Sequence, residues 1–254
     1  MRAMDIAAEK GVSETMQWRT SFAKNWILYL QEGLGLGIFM FSACFFNGLL
    51  FGKGGYLNNS LTPNALQVLI GLLMGLTALF IFYSPFTSLS GSHINTAVTL
   101  AFLRVGKIDK WDAFFYIIFQ VIGGTLTVFL MAFFMRENLT AAPLHYVITI
   151  PGKYGVIAAA MTELVIAFIM MNMVLFTSDH PVLKNYTRKL AAGLVFIFVV
   201  FAGPVSGFGM NPARSFASAY PAHIWTSFWI YFFMPIAGML SAAELYLHIK
   251  KRKQ

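Results

Sequence analysis

The sequence predicts an all-α membrane protein: six transmembrane helices plus two shorter re-entrant half-helices, arranged as two inverted repeats. Three observations carry this. Hydrophobic residues make up 58% of the 254-residue chain and charged residues only 11%, whereas soluble domains carry about 25% charged residues. The apolar residues fall in six long runs, the pattern of a multi-span protein. A Gly-x-x-x-Asn-x-Ala frame occurs twice, at Gly91, Asn95 and Ala97 and again at Gly207, Asn211 and Ala213.

In chain order, residues 1–25 are polar and mixed and lack the short apolar run and small-residue site of a cleavable leader. Apolar stretches follow at roughly 26–51, 66–88, 111–135, 156–177, 190–207 and 224–248. At about 1.5 Å per residue most of them cross a hydrocarbon core of about 30 Å. Helices satisfy their own backbone in lipid and open strands do not. Runs such as FFYIIFQVIGGTLTVFLMAFFM lack the alternation of a barrel strand. The expected layout is one domain over 26–248, with repeat one at about 26–135, repeat two at about 156–248, and a basic tail at 249–254.

Six spans put both termini on one side. That side receives 14 of the 18 basic residues, among them Arg2, Lys10, Arg104, Lys107, Lys184, Arg188 and the KKRK tail. The positive-inside rule therefore makes both termini cytoplasmic. The net charge of +8 is spent on topology, and no motif points to nucleic acid. The single cysteine, Cys44, lies within an apolar run and has no internal disulfide partner.

Two pieces remain, at about 95–103 and 211–219. Each begins at an Asn and stays apolar for about nine residues, half a bilayer of helix. The halves echo each other further. EGLGLGIFMF begins at Glu32 in the first span and ELVIAFIMM at Glu163 in the fourth; GSHINTAVTL and GFGMNPARSF follow. Three spans per half invert the second copy, and inverted repeats with broken helices at the midplane mark a transport site. Two half-helix N-termini would meet there, each with free N–H groups and about half a positive charge. Asn95 and Asn211 suit N-caps and keep side-chain donors. Pro212 suits a first helical turn. The backbone of Gly91, Ser92 and His93, and of Gly207, Gly209 and Met210, would expose carbonyls to a lumen. Arg214 would point into water there, as a donor and a barrier to cations.

These residues resemble the aquaporin, or major intrinsic protein, family over about 26–248. The resemblance rests on HINTAVTL, GMNPARSF, the Glu at the head of each repeat, YIIFQVIGG and the six-span spacing. It implies passive flow of water or small uncharged solutes with no cofactor or metal, a cell (plasma or inner) membrane location, and a homotetramer in the lipid bilayer. The motifs become Asn95-Thr96-Ala97 and Asn211-Pro212-Ala213; the first has Thr where the family usually has Pro. The four filter positions carried over by spacing are Gly75, Val200, Phe208 and Arg214. A one-residue slip replaces Gly75 by Met74, and Val200 assumes a shortened loop before Gly207. A filter without a ring at the first position or a His at the second implies a widened pore for glycerol-like polyols or neutral metalloid hydroxides. Ser215, Ala219, Tyr231 and Phe232 resemble the water-selective pattern instead. The family implies that Glu32 and Glu163 accept hydrogen bonds from the re-entrant loops, and that His93 lines the pore.

Rival classes fare worse. A coupled transporter also uses inverted repeats, but it needs ionisable groups at the midplane, where this chain has Asn, Thr, Pro and Ala. An enzyme would need a Ser–His or Asp–Asp pairing on the spans, and none is visible. His180 and Thr187 stand in a loop where protonation or phosphorylation could act.

Overall fold

A computed structural model describes residues 2–53 and 60–252, with side chains described from residue 17 onward. The basic side chains of Arg2 and Lys10 therefore lie outside what is described. The elements are α1 (Arg2–Phe51), α2 (Pro63–Tyr83), α3 (Thr96–Arg104), α4 (Lys110–Met135), α5 (Glu137–Thr140), α6 (Gly155–Ser178), α7 (Thr187–Ser206), α8 (Pro212–Ala222) and α9 (Phe228–Lys251). Six of these helices, all but α3, α5 and α8, are long and apolar enough to cross a membrane.

Boundaries follow local chemistry. Thr62 caps α2 by accepting from the Ala65 N–H at 3.3 Å, with Pro63 in the first turn. The apolar run read as reaching residue 88 stops at Tyr83, because Ser84 precedes Pro85 and takes an extended conformation (ψ 132°). Helix α7 ends at Gly207, whose φ of 81° is the left-handed C-terminal cap that glycine adopts freely. Helix α1 runs without interruption through residue 25, where the sequence suggested a separate terminal segment.

The packing is that of two repeats exchanged about a pseudo-twofold axis. Helix α1 packs on α4 and its counterpart α6 on α9, while α2 and α7 pack on each other. The half-helices cross over: α3 lies chiefly against α9 and α8 chiefly against α4. Small residues allow the close approaches. A Cβ at Gly33 would lie 2.8 Å from the Phe119 carbonyl oxygen on α4, and one at Gly75 would lie 2.9 Å from the Phe196 Cβ on α7. The outer surface keeps large apolar side chains in the open, such as Ile157, Phe133 and Phe201. Such a surface suits lipid rather than water. The polar residues are drawn inward, to the seam between the repeats.

Candidate pore and selectivity filter

Each re-entrant segment descends as irregular backbone before turning helical at its Asn, and the two descents match residue by residue. Gly91 and Gly207 have φ of 87° and 81°, Ser92 and Phe208 both 51°, and Ile94 and Met210 43° and 49°. Left-handed backbone costs a non-glycine residue about 1 kcal/mol or more. The side chains at paired positions differ while the dihedrals agree, so the shared feature is the course of the backbone.

A buried carboxylate fixes each descent. Glu32 accepts from the Ser90 hydroxyl (2.6 Å), the His93 N–H (2.9 Å), the Ile94 N–H (2.6 Å) and the Gln120 amide (2.8 Å). Glu163 accepts from the Ser206 hydroxyl (2.6 Å), the Gly209 N–H (2.8 Å) and the Met210 N–H (2.5 Å). Tyr116 and Tyr231 complete the pattern by donating to the carbonyls of Ser90 and Ser206. Both carboxylates are fully buried and line neither cavity described below. Their donors come from the descending loops and from side chains that hold them.

The Asn side chains work in two directions. Asn95 Oδ1 accepts from the N–H groups of Ala97 (2.8 Å) and Val98 (3.4 Å), and Asn211 Oδ1 accepts from Ala213 (3.0 Å). Asn95 Nδ2 donates to the Met210 carbonyl at 2.8 Å, and Asn211 Nδ2 donates to the Ile94 carbonyl at 2.7 Å. Each amide caps its own half-helix and ties it to the other repeat, and one N–H remains on each nitrogen. The half-helix survives Thr at the second motif position. The Thr96 N–H donates to Asn211 Oδ1 at 3.3 Å and its hydroxyl to Gln120 Oε1 at 3.3 Å, bonds that proline could not make. Thr96, Ala97, Pro212 and Ala213 are buried and hold the Asn residues without lining the lumen.

Two cavities open from opposite faces. One, of about 520 Å³, runs from the mouth at Tyr83, Lys184 and Arg188 past Gly91, Ser92 and His93 to Asn95, Gly209, Met210, Asn211 and Arg214. The other, of about 320 Å³, is lined by Asn47, Gln67, Met74, Val199, Gly207, Phe208 and Arg214 among others. They share Phe39, Phe208 and Arg214 as walls. Arg214 is 8% exposed, and its Nη1 has no hydrogen-bond partner within the described residues. His93 lines the larger cavity, 3.2 Å from the Thr99 hydroxyl and stacked on Phe102.

Two of the four filter positions read from the sequence are not in either cavity. Gly75 faces α7 beneath Phe196, one helical step, or about 100°, away from the lumen-facing Met74. Val200 packs over Gly71, and Val199 takes the cavity wall. The count to Val200 assumed a shortened loop, but α7 runs helical to Ser206, directly before Gly207. Met74, Val199, Phe208 and Arg214 are thus the four that the structure brings together. Sequence reasoning missed Phe39, one of 26 Phe in an apolar span with nothing to single it out. It also missed Tyr116, and it read Tyr231 as part of the water-selective pattern without the bracing role, although a Tyr near the start of the third span of both repeats is a signal.

This fold and its cavities define a class: a multi-pass membrane protein built as inverted repeats around two facing cavities that share a wall. The profile of the major intrinsic protein family matches residues 19–246, and the chain belongs to that family. It is 32% identical over 181 residues to Aquaporin NIP1-2 of Arabidopsis thaliana, covering 70% of this chain and 61% of that one. It is 28% identical over 245 residues to Aquaporin NIP1-2 of Oryza sativa subsp. japonica, covering 95% and 77%. The fold is similar to the X-ray structure of the aquaglyceroporin from Plasmodium falciparum, with a TM-score of 0.72 at 19% identity, covering 87% of this chain and 94% of that one.

Proposed function

We propose that the chain is a passive channel, not an enzyme, conducting water and small uncharged solutes while excluding ions and protons. The observation that carries this is the meeting of the two half-helix N-termini, where Asn95 and Asn211 each donate to a carbonyl of the other repeat and keep one N–H for the lumen. A permeating oxygen would accept from these amides and from Arg214 Nη1 while its hydrogens reach the carbonyls of the descending segments. Two positive dipole ends and a guanidinium oppose a cation. Among the described residues no carboxylate lines either cavity, so a proton-coupled cycle carried by a carboxylate has no seat there.

Met74, Val199, Phe208 and Arg214 act as the selectivity filter. Val199 and Phe208 supply an apolar wall against which a carbon backbone can slide, while Arg214 binds hydroxyls. This supports passage of glycerol-like polyols or neutral metalloid hydroxides beside water, in keeping with a structural neighbour that is an aquaglyceroporin. The flexible Met74 side chain, standing where the sequence suggested glycine, narrows that wall and favours a second reading, a water-dominated pore. The two part in liposomes followed by stopped-flow light scattering. Fast shrinkage under an impermeant osmolyte with fast re-swelling under glycerol supports the first; shrinkage without re-swelling supports the second. Flux that saturates or follows a proton gradient overturns both. The charge distribution supports cytoplasmic termini, and the family resemblance supports a homotetramer.

A further inference from the structure

We propose that the larger cavity is also a binding site for a free alkyl carboxylate, whose head is held between Lys184 and Arg188 and whose tail lies in the lumen, displacing water. The mouth combines two features that a neutral solute does not need. Lys184 and Arg188 both line it, and neither is paired with a carboxylate among the described side chains. Asp179, the acidic residue nearest in sequence, is taken by Lys107 and Lys250. Arg188 is held with its guanidinium 5.5 Å from the centroid of the Tyr83 ring, which fixes it at the rim.

Behind this rim the cavity carries an apolar lining of Leu36, Phe82, Val98, Phe102, Val174 and Val195 beside the polar groups of the descending segments. A carboxylate with an alkyl tail matches both parts: a charge-assisted bond at the rim and apolar burial behind it. An inorganic anion would gain only the first, and an alcohol of equal length only the second. Tail occupancy closes the passage. This last consequence rests on the channel reading, while the binding itself does not.

The probe is octanoate, with octanol and inorganic phosphate as controls. Calorimetry on the detergent-solubilised protein reads the site alone; stopped-flow water permeability of liposomes reads the channel alone before octanoate is added and closure after it. Octanoate is expected to bind and to lower water permeability at least fivefold, with octanol and phosphate ineffective at the same concentration. In the double variant Lys184→Gln/Arg188→Gln, at exposed positions, octanoate binding should weaken at least tenfold, each inhibition being normalised to that protein's own rate. Equal effects of octanoate and octanol, or unchanged octanoate binding in the double variant, would overturn the proposal. A protein with no water flux but charge-dependent octanoate binding would remove the channel reading and keep the site.

Discussion

Arg214 is a cation kept at 8% exposure, with no described carboxylate bonded to it and one nitrogen without a protein partner. At an effective dielectric near 20, a unit charge opposes a cation about 5 Å away by about 3 kcal/mol. Arg214→Ala is therefore expected to raise proton or sodium leak by at least about tenfold, read with a pH-sensitive dye or by radiotracer in liposomes. Met74 and Gly75 separate lumen from packing. Met74→Ala takes side-chain volume out of the lumen wall and should raise the glycerol-to-water permeability ratio by roughly tenfold, since a few carbons in a pocket discriminate by about 1–3 kcal/mol. Gly75→Ala puts a Cβ 2.9 Å from that of Phe196. It should cost about 1–3 kcal/mol of stability and leave the ratio unchanged. The opposite pattern would return Gly75 to the filter.

At the scale of the element, the two descending segments follow one course with different side chains, held by Glu32 and Glu163 through Ser90 and Ser206. Ser90→Ala and Ser206→Ala each remove one donor from a buried carboxylate, a loss of about 1–3 kcal/mol. Glu32 keeps three other donors and Glu163 only two, so Ser206→Ala should lower the unfolding temperature in detergent more than Ser90→Ala. Most of this level was legible in the residues: six spans, two half-helices starting at Asn95 and Asn211, and a Glu heading each repeat. Lumen positions on the spans were not. Which side of a helix faces water depends on its rotation against neighbours, and in spans apolar all round, periodicity gives no phase. Gly75 and Val200 were counted by spacing from the Asn motifs, with Met74 as the one-residue slip, and with no helical phase to correct the count each falls one residue from the cavity-lining Met74 and Val199. Phe208 and Arg214 sit beside the Asn caps, and the structure places both in the wall that the cavities share.

Across the whole molecule, one face is tied together at Asp179. This residue follows α6 and bonds Lys107 after α3, and Tyr246 and Lys250 on α9, linking both repeats. Lys107 and the Tyr246 hydroxyl hold the Asp179 carboxyl well below the usual carboxylate range. A lowered carboxyl contributes stability that is present above its ordinary value of about 4 and is lost as pH falls through the lowered one. Asp179→Asn should therefore lower the unfolding temperature by a constant amount above about pH 5. The gap to wild type should close as the buffer is taken further into acid; a gap that widens in acid would contradict the assignment.

The crossing of the half-helices has a consequence for biogenesis. Helix α3 rests chiefly on α9, the sixth described span in chain order, and α8 chiefly on α4. When the ribosome has finished the first three spans, α3 and its capping Asn95 have no permanent seat, and Asn95 Nδ2 has no Met210 carbonyl to meet. The first half of the chain must wait in the membrane with its polar loop held only from within that half, by Glu32 on α1 and by Tyr116 and Gln120 on α4. The passage thus comes into being in a single late step, when α9 arrives.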